Sequence, residues 1–227
     1  TTLTVRNAAS YPVSIQQDEA GSLPAGGTYT TNGRNYIQLT TWGGLQGNSV
    51  ARSQTWINPG IPYVVGGDYT FSDIGVSGND GGAPAVLTLT PGSVFRMRRG
   101  SVVVVGIGQA GGTLVARGTA ASPITFTADT TSPVPGFWVG LQIFEFAQTG
   151  TFFDHTVIEY SGSWNGVSPG DRANVLATVD LGPIITNSVL RNSGGCGISR
   201  ARLFWAVPPF VTDFTAGLGN TFTGNAM

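Results

Sequence analysis

Short apolar runs alternate with turns along the middle of the chain. Five β-rich runs follow one another in residues 86–128, and Gly or Pro separates most of them: Val86–Thr90, Ser93–Met97, Ser101–Val105, Gly112–Ala116 and Pro123–Thr127. Short runs rich in Val, Thr, Leu and Ile that are bounded by Gly and Pro are typical of β-strands. No helix of useful length fits between them, so the pattern predicts an all-β fold.

The pattern also repeats with a step of 32 residues. One column of the repeat contains only large apolar residues: Val94, Phe126, Ile158, Leu190 and Phe222. The column before it is small or β-branched, and the column after it is mostly polar. Stacked strands give this alternation when one position faces the interior and its neighbour faces outward. A repeat of this length indicates a solenoid or a propeller, in which each unit buries its apolar face on the next.

The order of several phrases resembles the right-handed parallel β-helix repeat proteins of bacterial surfaces, which belong to the pectate-lyase-like fold group. The similar phrases are LTLTPGSVFRM, GGTLVARGTAASPITFTAD, PGFWVGLQIF, FFDHTVIEYSG and PIITNSVLRNSGGCGIS. The resemblance implies a right-handed parallel β-helix and a secreted or cell-surface location in a bacterium. It leaves the activity open, because the group includes lyases, hydrolases and adhesins, and a fold does not determine a function.

Residues 1–57 do not join the repeat. The phrases LTVRN, PVSIQQ, GTYTT and YIQLTTW alternate apolar and polar residues, which favours an antiparallel sheet with one wet face. We therefore predict a small β module or an irregular N-terminal cap in residues 1–57, followed by the parallel β-helix in residues 58–227. Within the β-helix we expect strands at Tyr63–Val65 and Asp68–Phe71 and a loop at Gly75–Pro84.

Composition and charge exclude some classes of partner. Only 10% of the residues are charged, 34 of 227 are Gly, and the formal net charge is −1. This charge gives no electrostatic footprint for nucleic acid. No apolar run approaches the ~18 residues of a membrane helix. We therefore expect neither a nucleic-acid partner nor a membrane span.

The strongest catalytic-looking cluster lies in the phrase FFDHTVIEY. It contains Asp154, the only histidine His155, and Glu159. A carboxylate beside an imidazole is suited to general base catalysis. Adjacent strand residues point to opposite faces, however, and one repeat step from Asp154 leads to no second carboxylate. Lyases and hydrolases on this fold need acidic residues on neighbouring rungs, so these three residues are weak catalytic candidates.

Metal ligands are equally sparse, and we expect no cofactor and no catalytic metal. Asp171 and Asp180 lie in a stretch that we interpret as a loop, and a structural Ca²⁺ site between them is one alternative. Solvated carboxylates are the favoured interpretation of this pair.

Aromatic residues are a better indication of function. Tryptophan and tyrosine rings stack on sugar rings and anchor protein interfaces. Several of them lie in or beside predicted turns: Trp42, Trp56, Tyr160, Trp164 and Trp205. The alternative is that these rings cover the ends of the core. We predict ligand binding at Tyr160, Trp164 and Trp205.

Arg96, Arg98 and Arg99 form the only basic cluster. On alternating strand positions Arg96 and Arg98 share one face, where a sulfate, a carboxylate or an acidic sugar could dock. The alternative is a solvated face that keeps the sheet edge from pairing. We add Arg96 and Arg98 to the predicted binding residues.

The sequence thus favours a non-catalytic secreted or cell-surface protein that acts in adhesion, carbohydrate contact or extracellular assembly. A polysaccharide lyase or glycoside hydrolase of the pectate-lyase-like fold is the alternative. The expected partners are a polysaccharide or other surface proteins. Residues 220–227 occupy the register of a repeat strand, and a solenoid end normally needs a polar cap. Either the natural chain continues, or head-to-tail self-association covers this end with residues 1–57 of another copy.

Overall fold

The computed structural model describes residues 2–40, 49–66, 74–78, 82–107, 109–164, 171–201 and 210–227. Within these residues the chain forms short strands and one short 3₁₀ helix. In chain order the elements are β1 (Thr4–Arg6), β2 (Val13–Gln16), the 3₁₀ helix (Gln17–Ser22), β3 (Thr28–Thr30), β4 (Ile37–Thr40), β5 (Ser49–Val50), β6 (Gln54–Trp56), β7 (Tyr63–Val65), β8 (Ile74–Val76), β9 (Ala85–Leu89), β10 (Val94–Met97), β11 (Val102–Val105), β12 (Gly112–Arg117), β13 (Ile124–Ala128), β14 (Gly140–Ile143), β15 (Phe152–Asp154), β16 (Thr156–Glu159), β17 (Ala173–Ala177), β18 (Ile185–Thr186), β19 (Val189–Arg191), β20 (Cys196–Arg200) and β21 (Thr221–Thr223).

Three parallel sheets form the sides of a β-helix. The eight-stranded sheet has the order β2-β4-β7-β10-β13-β16-β19-β21, the six-stranded sheet β5-β8-β11-β14-β17-β20, and the five-stranded sheet β6-β9-β12-β15-β18. All the pairings between the described strands are parallel. The chain passes from one sheet to the next in turn, so a full coil adds one strand to each side. The fold is therefore the predicted all-β parallel solenoid.

The interior of the eight-stranded sheet is a column of large apolar side chains. Tyr63 pairs with Phe95, and Phe95 pairs with Phe126. The Phe95 ring centroid lies 5.2 Å from that of Tyr63 and 5.0 Å from that of Phe126. The column continues through Ile158 and Leu190, and all five side chains are fully buried. Complete burial of such a side chain stabilises a protein by about 1.5–3 kcal/mol, so this column is a large part of the core energy.

The predicted repeat is correct at four of its five positions and wrong at Val94. The four correct positions occupy one interior column: Phe126, Ile158, Leu190 and Phe222. Val94 instead pairs with Thr125 and is half-buried on the outer face of the sheet. Phe95 takes the interior position, because the step between β10 and β13 is one residue shorter than the later steps.

Four strands of residues 1–57, β2, β4, β5 and β6, continue the three parallel sheets. β1 and β3 form a separate two-stranded sheet that is also parallel, so the prediction of an antiparallel sheet is wrong. β2 pairs with β4, and β4 pairs with β7 across the boundary predicted at residue 58. β5 and β6 join the other two sheets in the same way. The first coils are shorter, with a step of 26 residues from Ile37 to Tyr63. A search at a fixed step of 32 misses them for this reason.

The 3₁₀ helix lies against the first strands of the six-stranded and five-stranded sheets. Ala20 of this helix is fully buried. The backbone N–H of Gly21 donates to the side chain of Gln54 at 2.7 Å, and that of Ala51 donates to the Asp18 carboxylate at 2.9 Å. The helix therefore covers the apolar interior at the start of the solenoid and presents polar groups outward, as a solenoid cap must.

One further prediction differs from the structure. β8 (Ile74–Val76) overlaps the predicted loop Gly75–Pro84, because its Ile and Val pack inward beside Val103 and Val105 despite the Gly-rich sequence around them. Trp56 is fully buried in β6, as in the alternative that these rings cover the core. The predicted strand Asp68–Phe71 lies outside the described residues.

The four inner strands of the six-stranded sheet, β8, β11, β14 and β17, are buried on both faces. Val103 and Val105 belong to the interior core, while Val102, Val104 and Val139 form a second apolar cluster on the outer side. The half-buried and exposed polar residues of the strands lie mainly on the outer faces of the eight-stranded and five-stranded sheets. A ligand therefore has these two faces and the corners between the sheets to bind to.

Candidate functional site

The three catalytic candidates do not form one site. Asp154 ends β15 in the five-stranded sheet, and Glu159 ends β16 in the eight-stranded sheet. His155 lies between the two strands, at the corner, with a φ of 47°. This left-handed conformation is uncommon outside glycine and turns the chain from one sheet to the next. The three side chains therefore belong to two sides of the solenoid and the turn between them.

Side chains of the next coil hold the Asp154 carboxylate. Its Oδ1 accepts hydrogen bonds from the Thr186 hydroxyl at 2.8 Å and from the Asn187 side-chain amide at 2.9 Å. Burial alone would raise the pKa of Asp154, but these hydrogen bonds and the charges of His155 and Arg117 outweigh burial and lower the pKa below its usual range. A general base works best when its pKa is near the operating pH, so this shift disfavours Asp154 in that role.

Glu159 joins three successive coils on the outer face of the eight-stranded sheet. Its Oε2 lies 2.7 Å from Nε of Arg191, and its Oε1 accepts a hydrogen bond from the Thr127 hydroxyl at 2.7 Å. The Glu159 side chain is only 10% exposed. Both carboxylate oxygens are therefore engaged in holding the stack together.

Arg96 and Arg98 share one carboxylate beside the eight-stranded sheet. Nε of Arg96 lies 2.9 Å from Oδ1 of Asp129, and Nε of Arg98 lies 3.7 Å from its Oδ2. Arg98 also donates to the Tyr11 hydroxyl, and the Arg96 guanidinium lies 5.2 Å from the centroid of the Tyr36 ring. Both arginines thus contact other coils of the protein, and their part in ligand binding stays a prediction.

The corners between the eight-stranded and six-stranded sheets stack into one ridge. We call it the Trp164 corner, and it comprises residues 98–101, 129–139, 160–164 and 192–195. Backbone hydrogen bonds join its levels: Gly100 donates to Phe137 at 3.2 Å, Gly136 to Ser161 at 2.9 Å, and Gly194 to Ser161 at 2.8 Å. The ridge therefore has a fixed backbone along the solenoid axis.

Glycine makes this close stacking possible. Gly162 has a φ of 85°, and a Cβ at this position would lie 2.9 Å from the nitrogen of Gly194. A Cβ on Gly194 would in turn lie 2.9 Å from the carbonyl oxygen of Gly162. Real Cβ atoms essentially never come so near to backbone atoms, so side chains here would push the levels apart.

The Trp164 corner carries exposed apolar groups. Trp164 is 64% exposed and Val134 is 50% exposed. In the described part of the chain, the other two large apolar side chains that are exposed are Val211 and Met227. Trp164 follows Ser163, whose N–H donates to the backbone carbonyl of Trp138 at 3.0 Å. The backbone beside the indole is therefore tied to the ridge.

An exposed arginine lies two levels away on the same ridge. The Arg99 guanidinium is 4.6 Å from the centroid of the Phe137 ring, and Arg99 is an exposed residue. The sequence indicated Arg99 as part of the basic cluster but not as the member on the ridge. Strand alternation could not place it, because β10 ends at Met97. Gly100 follows Arg99 directly, and this glycine is the feature of the sequence that could have predicted a turn at Arg99.

The remaining predicted residues are more dispersed. Tyr160 begins the third level of the Trp164 corner with a φ of 62°, and its half-buried ring packs against the core. Trp42 and Trp205 lie outside the described residues.

Asp171 and Asp180 flank β17, so this pair does not share a loop. Among the described residues, no group of three or more His, Cys, Asp or Glu side chains is placed to hold a metal ion.

No protein-family model matches the chain, and no curated protein and no solved structure matches it. The likeness to the pectate-lyase-like group therefore extends as far as the stacked parallel strands of the solenoid. In the part of the chain that the structure describes, none of the helices has the length and apolar character needed to cross a membrane.

Proposed function

We propose that this chain is a non-catalytic β-helix protein, secreted or at a bacterial cell surface, that binds carbohydrate through the Trp164 corner. The observation that carries the proposal is the 64% exposure of Trp164 on a ridge tied by backbone hydrogen bonds. An indole presents a broad apolar face on which a sugar ring stacks, and a fixed backbone lowers the entropy lost on binding. The partner is a polysaccharide of a surface or matrix, and the role is adhesion or extracellular assembly.

The state of the catalytic candidates supports a binding role over the lyase or hydrolase alternative. Asp154 and Glu159 both accept hydrogen bonds from neighbouring coils. These contacts stabilise the stack of coils, and they engage Oδ1 of Asp154 and both carboxylate oxygens of Glu159. A retaining or inverting hydrolase needs two carboxyl groups facing one glycosidic bond, and these two residues belong to different sheets.

A sedimentation assay with insoluble cellulose, chitin and bacterial peptidoglycan tests the proposal. We expect the wild-type chain to be depleted from solution by at least one of them. Trp164→Ala should weaken binding about 5–30-fold, because an aromatic contact contributes about 1–2 kcal/mol. Val211→Ala is the matched control, since Val211 is 88% exposed and lies outside the Trp164 corner. Unchanged binding in Trp164→Ala, or no depletion by any of the three polymers, would contradict the proposal.

A further inference from the structure

We propose that the carbohydrate bound at the Trp164 corner is a linear polymer that carries oxyanions, and that Arg99 binds one of these groups. This inference rests on the proposed function and adds the chemical class of the ligand and the direction in which it lies. The shared chemistry is a carboxylate or a sulfate, both of which accept two parallel hydrogen bonds from a guanidinium group.

Arg99 has the geometry of an oxyanion-binding side chain. Its guanidinium lies over Phe137 at 4.6 Å from the ring centroid, and the residue is exposed. Stacking on an aromatic ring fixes the group and removes water from one of its faces, while the N–H donors around its edge stay accessible to a ligand. Arg96 and Arg98 differ, because both direct Nε toward the Asp129 carboxylate.

The surroundings of Arg99 favour an anion. Among the described residues Arg99 forms no ion pair, whereas Arg96 and Arg98 both lie near the Asp129 carboxylate. An exposed guanidinium that no ion pair neutralises attracts anionic ligands. Arg117 is the contrasting case on the five-stranded sheet.

Arg117 makes the same kind of stack beside a carboxylate. Its guanidinium lies 4.8 Å from the centroid of the Phe152 ring, and the residue is exposed. Arg117 pairs in register with Asp154, whose charge offsets that of the arginine. Arg117→Gln is therefore a control that removes an equivalent exposed, stacked arginine from another side of the protein.

The spacing along the ridge indicates a polymer parallel to the solenoid axis. Arg99 follows β10 and Trp164 follows β16, and β13 is the one strand between them in the sheet. Neighbouring strands are about 4.8 Å apart, so the two residues are separated by roughly 10 Å along the axis. One chain of sugars can therefore stack a ring on Trp164 and place a charged substituent near Arg99.

Affinity electrophoresis of the full chain with three soluble polymers of one backbone tests this inference: carboxymethylcellulose, cellulose sulfate and neutral hydroxyethylcellulose. We expect the charged polymers to retard the wild type more than the neutral one. Arg99→Gln should raise the dissociation constant for the charged polymers about tenfold, and Arg117→Gln should leave it unchanged. Arg99→Lys, which keeps the charge without the bidentate fork, should fall between Arg99→Gln and the wild type.

The outcomes separate the two proposals. Preference for carboxymethylcellulose alone identifies the oxyanion as a carboxylate, and preference for cellulose sulfate alone identifies it as a sulfate. Equal retardation by all three polymers, unchanged in Arg99→Gln, overturns the oxyanion inference and leaves the proposed function standing. Equal losses in Arg99→Gln and Arg117→Gln overturn it too, because they indicate general attraction of a polyanion. Lack of binding here and in the sedimentation assay overturns the proposed function itself.

Thermal unfolding of each variant checks that the fold is retained, and Arg99→Lys replaces Arg99→Gln if the latter unfolds.

Discussion

The Arg98 guanidinium donates a hydrogen bond to the hydroxyl of Tyr11, which lies 87 residues earlier in the chain. Arg34 donates to the same hydroxyl at 2.7 Å. The Arg98 side chain passes close to Gly66, and a Cβ added at Gly66 would lie 2.7 Å from the Cβ of Arg98. One phenol thus joins the first two coils to a later one. In a solenoid each coil otherwise contacts only its neighbours, so this link adds a longer-range restraint.

Tyr11→Phe should destabilise the protein by about 1–2 kcal/mol, because it removes an acceptor for two charged donors in a half-buried position. Urea unfolding of the wild type and the variant measures the difference. Tyr36→Phe is the control, since it keeps the ring under the Arg96 guanidinium and removes a hydroxyl that makes no hydrogen bond within the described residues. Equal midpoints for wild type and Tyr11→Phe would show that the link contributes nothing.

The register of the eight-stranded sheet predicts opposite results at two adjacent residues. Phe95→Ala should cost about 3–5 kcal/mol, because it leaves a cavity in the interior column. Val94→Ala should cost less than about 1 kcal/mol, since Val94 is half-buried on the outer face. Chemical denaturation of both variants checks the order. A larger cost at Val94 would restore the uniform step of 32 and refute the register described above.

Asp180 gives the protein an acid-sensitive contact. Burial alone would raise its pKa, but hydrogen bonds from Thr212, Val211 and Gly182 outweigh burial and lower the pKa from 3.8 to about 2. The folded pKa lies below the unfolded one, so the stabilisation is present above about pH 4 and is lost as the pH falls toward about 2. It amounts to roughly 1 kcal/mol once solvent screening is allowed for.

Thermal unfolding across this pH range tests the role of Asp180. Asp180→Asn should be less stable than the wild type near neutral pH, because the amide lacks the charge that accepts these donors most strongly. The difference should shrink as the pH falls through about 4 to about 2. Parallel stability curves for the two proteins would contradict the assignment.

Removal of the catalytic candidates should leave binding intact. Asp154→Ala and His155→Ala should sediment with the same polysaccharide as the wild type. His155→Asn is a second variant, because Asn tolerates the left-handed conformation at this corner better than Ala does. Reducing-end and unsaturated-product assays accompany the measurement. Polysaccharide cleavage by the wild type that disappears in His155→Asn would favour the lyase or hydrolase alternative.

Local alternation determined where the strands lie. The sequence predicts strands at Ser93–Met97 and Tyr63–Val65, and the structure has them at Val94–Met97 and Tyr63–Val65. Gly and Pro mark turns wherever they occur, so this information is contained in a few neighbouring residues. The direction in which the strands pair is not contained in neighbouring residues. An apolar-polar alternation fits parallel and antiparallel sheets alike, and residues 1–57 join the solenoid only through strands that follow them in the chain.

The candidate site shows the same division. The sequence alone placed Trp164 in or beside a turn and grouped Arg96, Arg98 and Arg99 as one basic cluster. Which of these arginines is exposed was decided by partners on other coils. Asp129 engages Arg96 across 33 residues, and Tyr11 engages Arg98 across 87. Stacked coils bring such distant residues within hydrogen-bond distance, so their pairing is a property of the tertiary structure and leaves no local pattern in the chain.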